Sequence, residues 1–276
     1  MVKVVRRVLG TMVVYGYPRA PFAAELDLAA WIGAEVLEIL PLWKVEPDPT
    51  LLRDQVADRG LTLHSAHGCW GGQSIRADRV DLGSPEPSVH EASVDDLRRC
   101  LDWLAAAGGR TLVVHPGGLS DEADREPRRD ALARGLSALA DHARGTGLVV
   151  AVENMPPGVH PGSRMGDLAR LVRELSRVEL GLTLDVAHAH LSADAVGETL
   201  AAADLLTTTH VHDNDGGKDS HHPPGHGTID WPSWFSALDA IGYRGPIVLE
   251  CIRRIREDRS QYRPEVLAPF VRPAPR

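Results

Sequence analysis

Short runs of aliphatic and β-branched residues alternate with longer stretches of helical spacing along the whole chain. Eight of the short runs read as strands: Met12–Tyr15, Val36–Leu40, Leu61–His67, Thr111–His115, Leu148–Glu153, Leu180–Asp185, Thr207–His212 and Pro246–Glu250. They are nearly continuous in apolar residues, as strands are when both faces of a sheet are covered. Between them apolar residues recur every three or four positions, as at Leu97, Leu101, Leu104 and Ala105, or at Leu132, Leu136 and Leu139. That is the spacing of one buried helix face. Gly33, Gly60, Gly108-Gly109, Gly147 and Gly242 end several of these stretches just before the next strand, where glycine serves as a helix C-cap.

Eight β–α repeats in 276 residues predict an α/β chain folded as a (β/α)8 TIM barrel. The expectation is one domain over residues 1–276, with a loose tail from about residue 268. An open doubly wound sheet is the competing arrangement, but no glycine-rich dinucleotide fingerprint follows the first strand. The longest connections follow the third and seventh predicted strands, and Pro156–Ser163 is a Pro/Gly turn. In a barrel such loops belong to the C-terminal face, where active sites are built.

Composition narrows the class. At 43% hydrophobic and 25% charged residues the chain is ordinarily globular. Cys69, Cys100 and Cys251 are scattered and form no disulfide framework. The basic start is followed by an apolar patch that Gly10, Gly16 and Pro18 break, too short for a secretory signal. No apolar run approaches the ~20 residues that span a bilayer. These features predict a soluble, cytoplasmic protein with no membrane partner, and they are compatible with an oligomer. The net charge of −8 and pI of about 5.9 disfavour nucleic acid as a partner. Near the rim, Arg76–Arg79 is the one basic candidate, without the aromatic company that tracks a nucleic-acid strand.

The chemistry gathers at strand ends. Residues 210–231 hold five histidines and several carboxylates after an apolar run. Imidazole and carboxylate are the donors that bind zinc, manganese and related ions. The third to sixth and eighth predicted strands end at or just before His67, His115, Glu153, Asp185 with His188, and Glu250, the seventh carries His210, and Asp219 and His221 follow on the long loop. An ionisable side chain at the end of an apolar strand is costly unless paired or metal-bound. Six strands in succession ending this way point to a shared ion. His67 lies at the very end of its strand, whereas His64 reads as a packed histidine. His212 reads as a residue that orients its neighbours. Trp70 could stack on a sugar ring or a base, or simply anchor its loop. His222 and His226 suit substrate contacts or solvent, and His90, His142, His160 and His190 receive no role. Trp231 should pack at the start of a helix after an Asp230 N-cap.

The ordered set Ser65-Ala-His67, Val114-His115-Pro-Gly, Val152-Glu153-Asn154, Leu184-Asp185-Val-Ala-His188, His210-Val-His-Asp, Asp219-Ser-His221, Gly225-His-Gly-Thr-Ile-Asp-Trp and Leu249-Glu250 resembles the xylose isomerase-like barrel superfamily. That superfamily includes sugar phosphate isomerases/epimerases and enzymes of the endonuclease IV type. By the resemblance, Glu153, Asp185, His210 and Glu250 would hold the common metal. His67 and His115, with Glu153 bridging, would hold a second ion, and His188, Asp219 and His221 a third. The implied cofactors are divalent ions (zinc, manganese or magnesium), roughly one to three per chain. Two functions suit these residues. One is isomerisation or epimerisation of a small sugar or sugar phosphate through a metal-stabilised enediolate, with Glu153 and Glu250 exchanging the proton. The other is a zinc-dependent phosphodiesterase of the endonuclease IV (AP endonuclease) type with a two- or three-metal site. Trp70, His212 and Lys218 are the substrate-facing candidates. Sugar epimerases of the superfamily carry an arginine after the strand-seven histidine; residues 216–221 contain none.

Overall fold

The computed structural model describes residues 7–71, 79–192, 194–262 and Leu267. Eight strands close in sequence order into a parallel barrel: β1 (Leu9–Tyr15), β2 (Val36–Pro41), β3 (Thr62–His67), β4 (Thr111–Val114), β5 (Val149–Glu153), β6 (Leu180–Asp185), β7 (Leu206–Val211) and β8 (Ile247–Leu249). The helices between and after them are α1 (Phe22–Trp31), α2 (Pro49–Ala57), α3 (Pro87–Ala107), α4 (Arg125–Ala143), α5 (Met165–Leu175), α6 (Val186–Leu191), α7 (Ala195–Ala202), α8 (Trp231–Ala240) and α9 (Ile252–Glu257). The expected TIM barrel is therefore present, and the open-sheet alternative is excluded by the β1–β8 pairing.

The strand positions agree with the hydrophobic pattern to within a few residues. The largest difference is β1, which begins at Leu9 rather than Met12. The seam accounts for it: Leu9, Gly10 and Thr11 pair with Ile247, Val248 and Leu249. A Cβ at Gly10 would lie 3.0 Å from both the Val248 and Val36 side chains. The glycine that interrupts the apolar run is thus what lets three strands meet closely.

The helical stripes face the barrel as their spacing requires. Leu97, Leu101 and Leu104 of α3 and Leu132, Leu136 and Leu139 of α4 are buried, each contributing roughly 1.5–3 kcal/mol of burial free energy. Ala105 is exposed, because it falls one position beyond the buried stripe. Gly108 ends α3 in a left-handed conformation (φ 82°). All three cysteines are free and buried. Among the described residues no helix is long and apolar enough to cross a membrane. The tail from residue 268 and Arg76 lie outside the described residues.

The long connections are residues 68–86, between β3 and α3, and residues 212–230, between β7 and α8. Both leave the C-terminal ends of strands, so the second delivers its histidines to the same rim as the strand-terminal carboxylates.

Candidate metal centre

Closing the barrel gathers side chains that are far apart in sequence. Donor atoms of Glu153, Asp185, His210 and Glu250 all lie within 4.8 Å of one another, and so do those of His67, His115 and Glu153. Two further groups satisfy the same distance: Asp185, His188 and His212, and His212, His221 and Glu250. Asp219 sits between them, its Oδ2 3.4 Å from His188 Nε2 and 3.0 Å from His221 Nε2. All nine residues expected as metal ligands therefore belong to one connected patch on the rim.

The ring orientations are set from behind. His67 Nδ1 is 2.8 Å from Gly68 O, which leaves Nε2 toward Glu153 Oε2 at 3.6 Å. His188 Nδ1 is 2.9 Å from Asn154 O, and His221 Nδ1 is 2.8 Å from Glu250 O. In each case a carbonyl takes one ring proton and leaves the other nitrogen free to accept a cation. His221 has left-handed backbone (φ 46°), a conformation uncommon for a non-glycine residue. Its ring stacks on His212 at 4.0 Å. Asn154 clamps β6 to β5 through its side chain: Oδ1 accepts from Asp185 N at 2.8 Å and Nδ2 donates to Asp185 O at 2.9 Å.

The site is strongly anionic in character. Burial pushes the Glu153 carboxyl upward, but the charge on His210, the nearby rings of His115 and His67 and a hydrogen bond from His210 hold it well below the usual range. Burial likewise opposes ionisation of Asp185, and His188 and His212 override it. Burial pulls His210 downward, yet Glu250, Glu38 and Glu153 raise it well above its ordinary value. His188 is pulled down by burial and pushed up to about 10 by Asp185, Asp219 and Glu153. His115 is lowered, burial outweighing Glu153. Glu153 and Asp185 are thus held toward the ionised form, and His210 and His188 toward the protonated form beside them.

That balance matches a divalent cation. Glu153 Oε2, Glu250 Oε2 and His212 Nδ1 are buried without a hydrogen-bond partner. Leaving such an atom unsatisfied costs about 1–3 kcal/mol each. Orphaned carboxylate oxygens facing imidazole nitrogens are the donor set that zinc, manganese or magnesium would satisfy.

The remaining candidates fall into place as follows. His67, not His64, reaches the rim; His64 belongs to none of the ligand groups, and its Nε2 is buried without a partner. Trp70 is half-buried, its ring 4.8 Å from His67 and 6.1 Å from His115. Lys218 is exposed on the loop after β7. His212 is more central than an orienting role at the edge would suggest. It is fully buried, with Nε2 3.0 Å from Asp185 Oδ2 and Nδ1 3.6 Å from Asp219 Oδ1. His90, His142, His160, His190, His222 and His226 stand outside the ligand groups. Trp231 opens α8 after the Asp230 N-cap, as expected.

Two residues escaped the sequence reading. Glu38, in the middle of β2, is fully buried and contacts His210. Its signal was an acidic residue inside Val36-Leu-Glu-Ile-Leu40, where a strand covered on both faces leaves it no exposed side. Asp213 is also fully buried. Its Oδ1 accepts from Asn214 N at 2.9 Å and Ile229 N at 3.3 Å, and its Oδ2 from Gly225 N at 2.8 Å and Trp231 Nε1 at 3.1 Å. This one carboxylate folds the loop that carries Asp219 and His221. It also accounts for the Gly225-His-Gly-Thr-Ile-Asp-Trp motif: a Cβ on Gly227 would collide with Asn214 O and Asp213 Oδ1.

The chain is similar to known proteins over most of its length. The sequence profile of the xylose isomerase-like TIM barrel family matches residues 26–269. An L-ribulose 3-epimerase of Methylomonas sp. (strain DH-1) is 29% identical over 229 residues, covering 80% of this chain and 75% of that protein. The crystal structure of a D-allulose 3-epimerase from Methylomonas sp. in complex with D-allulose superposes with a TM-score of 0.74 at 25% identity, covering 89% of this chain and 84% of the other. A probable endonuclease 4 of Thermoplasma acidophilum is 27% identical over 208 residues, 69% of this chain and 64% of that protein.

Proposed function

We propose that this chain, an enzyme that belongs to the xylose isomerase-like TIM barrel family, is a divalent-metal-dependent epimerase or isomerase of a small ketose or ketose derivative. The observation that carries the reading is the convergence of Glu153, Asp185, His210 and Glu250 within 4.8 Å. Two of these carboxylates enter from non-adjacent strands, the arrangement needed to move a proton on two faces of one carbon. The similarity to an L-ribulose 3-epimerase and to the fold of a D-allulose 3-epimerase supports it.

A divalent ion held by Glu153, Asp185, His210 and Glu250 would supply Lewis acidity toward a carbonyl and the neighbouring hydroxyl oxygen of the sugar. The chain's own residues do the rest. One of Glu153 and Glu250 removes the proton from the carbon beside the carbonyl, and the other delivers a proton to the opposite face. Glu153 suits the role of base, because its surroundings keep it ionised. His188 stands beside the quartet, fixed by Asn154 O, where its Nε2 can steady a substrate oxygen. The loop after β7 has Lys218 and no arginine, so Trp70 and Lys218 are assigned the remaining sugar contacts, while fully buried His212 stays with Asp185 and Asp219.

The hydrolase reading rests on one specific observation. His67, His115, His188, His212, Asp219 and His221 offer more donors than a single ion uses, as a two- or three-zinc phosphodiesterase would need.

One experiment decides between them. Purified protein, its metal content measured, is incubated in heavy water with a panel of ketoses and ketose phosphates, and separately with duplex DNA holding an abasic site. Epimerisation takes up solvent deuterium at the inverted carbon and leaves the DNA intact. Metal-dependent nicking at the abasic site, with no deuterium uptake, would overturn the proposal and establish the hydrolase.

A further inference from the structure

Among the described residues, the candidate ligand histidines differ in what stands behind them. His67, His188 and His221 each turn one ring nitrogen to a neutral backbone carbonyl. His210 instead turns Nε2 to a carboxylate, Glu38 Oε1 at 2.8 Å. Its other nitrogen, Nδ1, faces Glu153 Oε1 at 2.9 Å and Glu250 Oε2 at 3.0 Å. Glu38 is itself held: Ser65 Oγ donates to its Oε2 at 2.6 Å. Glu38, His210 and Ser65 are all fully buried, so water does not compete for these bonds.

An ionised carboxylate only accepts hydrogen bonds. Both ring nitrogens of His210 face carboxylates, but Glu153 and Glu250 belong to the quartet whereas Glu38 does not; once an ion engages the quartet, Glu38 keeps the His210 proton on Nε2 and leaves the Nδ1 lone pair for that ion. The two nitrogens project from opposite sides of the ring, so Glu38 lies behind His210 as seen from the quartet. Its Oε1 is directed at His210 and its Oε2 at Ser65, and Glu38 belongs to none of the groups of donor atoms that converge on an ion.

We propose that Glu38 is a positioning residue: with Ser65 it selects Nδ1 of His210 as the metal-binding atom and locks the ring toward Glu153 and Glu250. This rests on the metal-dependent reading above. A carboxylate behind a ligand imidazole fixes its tautomer and makes the ring a stronger donor, and losing such a partner typically weakens metal affinity about 10–100-fold. Glu38 enters from β2, 172 residues away in the chain, and takes no direct part in proton transfer.

The test reads binding and tautomer, not turnover. Protein with ¹⁵N-labelled histidine is loaded with ¹¹³Cd²⁺, and the His210 signals are identified by their loss in His210→Gln. The wild type should show cadmium coupled to Nδ1 and a proton on Nε2; coupling to Nε2 would overturn the proposal. Mn²⁺ affinity is then measured by electron paramagnetic resonance. Glu38→Ala should bind about 10–100-fold more weakly, and Ser65→Ala should fall between it and the wild type. Glu38→Gln keeps the shape of the side chain and an oxygen that can accept from Nε2–H. It should stay folded, retain the Nδ1 mode and bind more weakly than wild type, and it carries the test should Glu38→Ala not fold. Wild-type affinity in Glu38→Gln together with Glu38→Ala, or in Glu38→Gln alone if the Ala variant does not fold, would sink the role of Glu38. Mn²⁺ binding indifferent to Glu153→Gln and Asp185→Asn would instead sink the metal quartet itself, a separate failure.

Discussion

Asp213→Asn isolates the clamp on the long loop after β7. The wild-type carboxylate accepts four hydrogen bonds, two on each oxygen: Asn214 N and Ile229 N on Oδ1, Gly225 N and Trp231 Nε1 on Oδ2. An asparagine amide has one oxygen, so whichever way it turns, its NH2 group faces two N–H donors. The Gly225–Trp231 pair is the less buried of the two, and the amide should turn its nitrogen there. Two unmade bonds at about 1–2 kcal/mol each amount to a loss of about 2–4 kcal/mol. Against a domain stability of about 5–15 kcal/mol the fold survives while the loop loosens. The melting temperature should drop by about 4–16 °C, taking roughly 2–4 °C per kcal/mol for domains approaching this size. Urea unfolding should give the free-energy change directly, and hydrogen exchange should accelerate at the Gly225 amide and the Trp231 indole N–H. Asp219 and His221 ride on this loop, so metal content should fall while an ion remains at the Glu153 quartet. A stability change under about 0.5 kcal/mol with full metal content would refute the assignment of Asp213 as the organising group.

Three further outcomes follow from the site. Glu153→Gln and Glu250→Gln should each lower deuterium uptake by orders of magnitude with an unchanged circular dichroism spectrum; turnover near wild type in either variant removes it from the proton-transfer pair. If Asp219 and His221 build a further ion site, Asp219→Ala and His221→Ala should each lose roughly one ion per chain and leave the others; unchanged metal content in both would mean that the pair holds substrate or only orders the loop. In metal-free protein His188 is raised to about 10, above its unfolded value of roughly 6.5. Its stabilising contribution is therefore complete below about pH 6.5 and lost as pH rises toward about 10. Urea titrations of chelator-treated wild type and His188→Gln should show a stability gap that narrows over that window, and a constant gap would contradict the charge assignment.

Much of the candidate site was legible because it lies at strand ends. Glu153, Asp185, His210 and Glu250 each follow or close an apolar run of strand length, where an ionisable residue has no ordinary use. His67 could be preferred over His64 on position alone, and the structure puts His67 within 3.6 Å of Glu153 and His64 outside every ligand group. His212 was less legible. One residue past the end of β7, its direction depends on the turn that follows, and that turn is set by Asp213.

The chain's own hydrophobic period determined the eight strands, their order and the rim to which their polar ends must point, since alternation and strand length are local properties of covalent geometry. Tertiary structure alone decided what those ends do together. Glu38 and His210 share no local signal, and only closure of β1 onto β8 sets the curvature that brings β2 across from β7. The division between ligand and supporting residue is decided there too: a buried carboxylate becomes one or the other according to whether its oxygens face open donors, as in Glu153 and Glu250, or are already taken, as in Glu38 and Asp213.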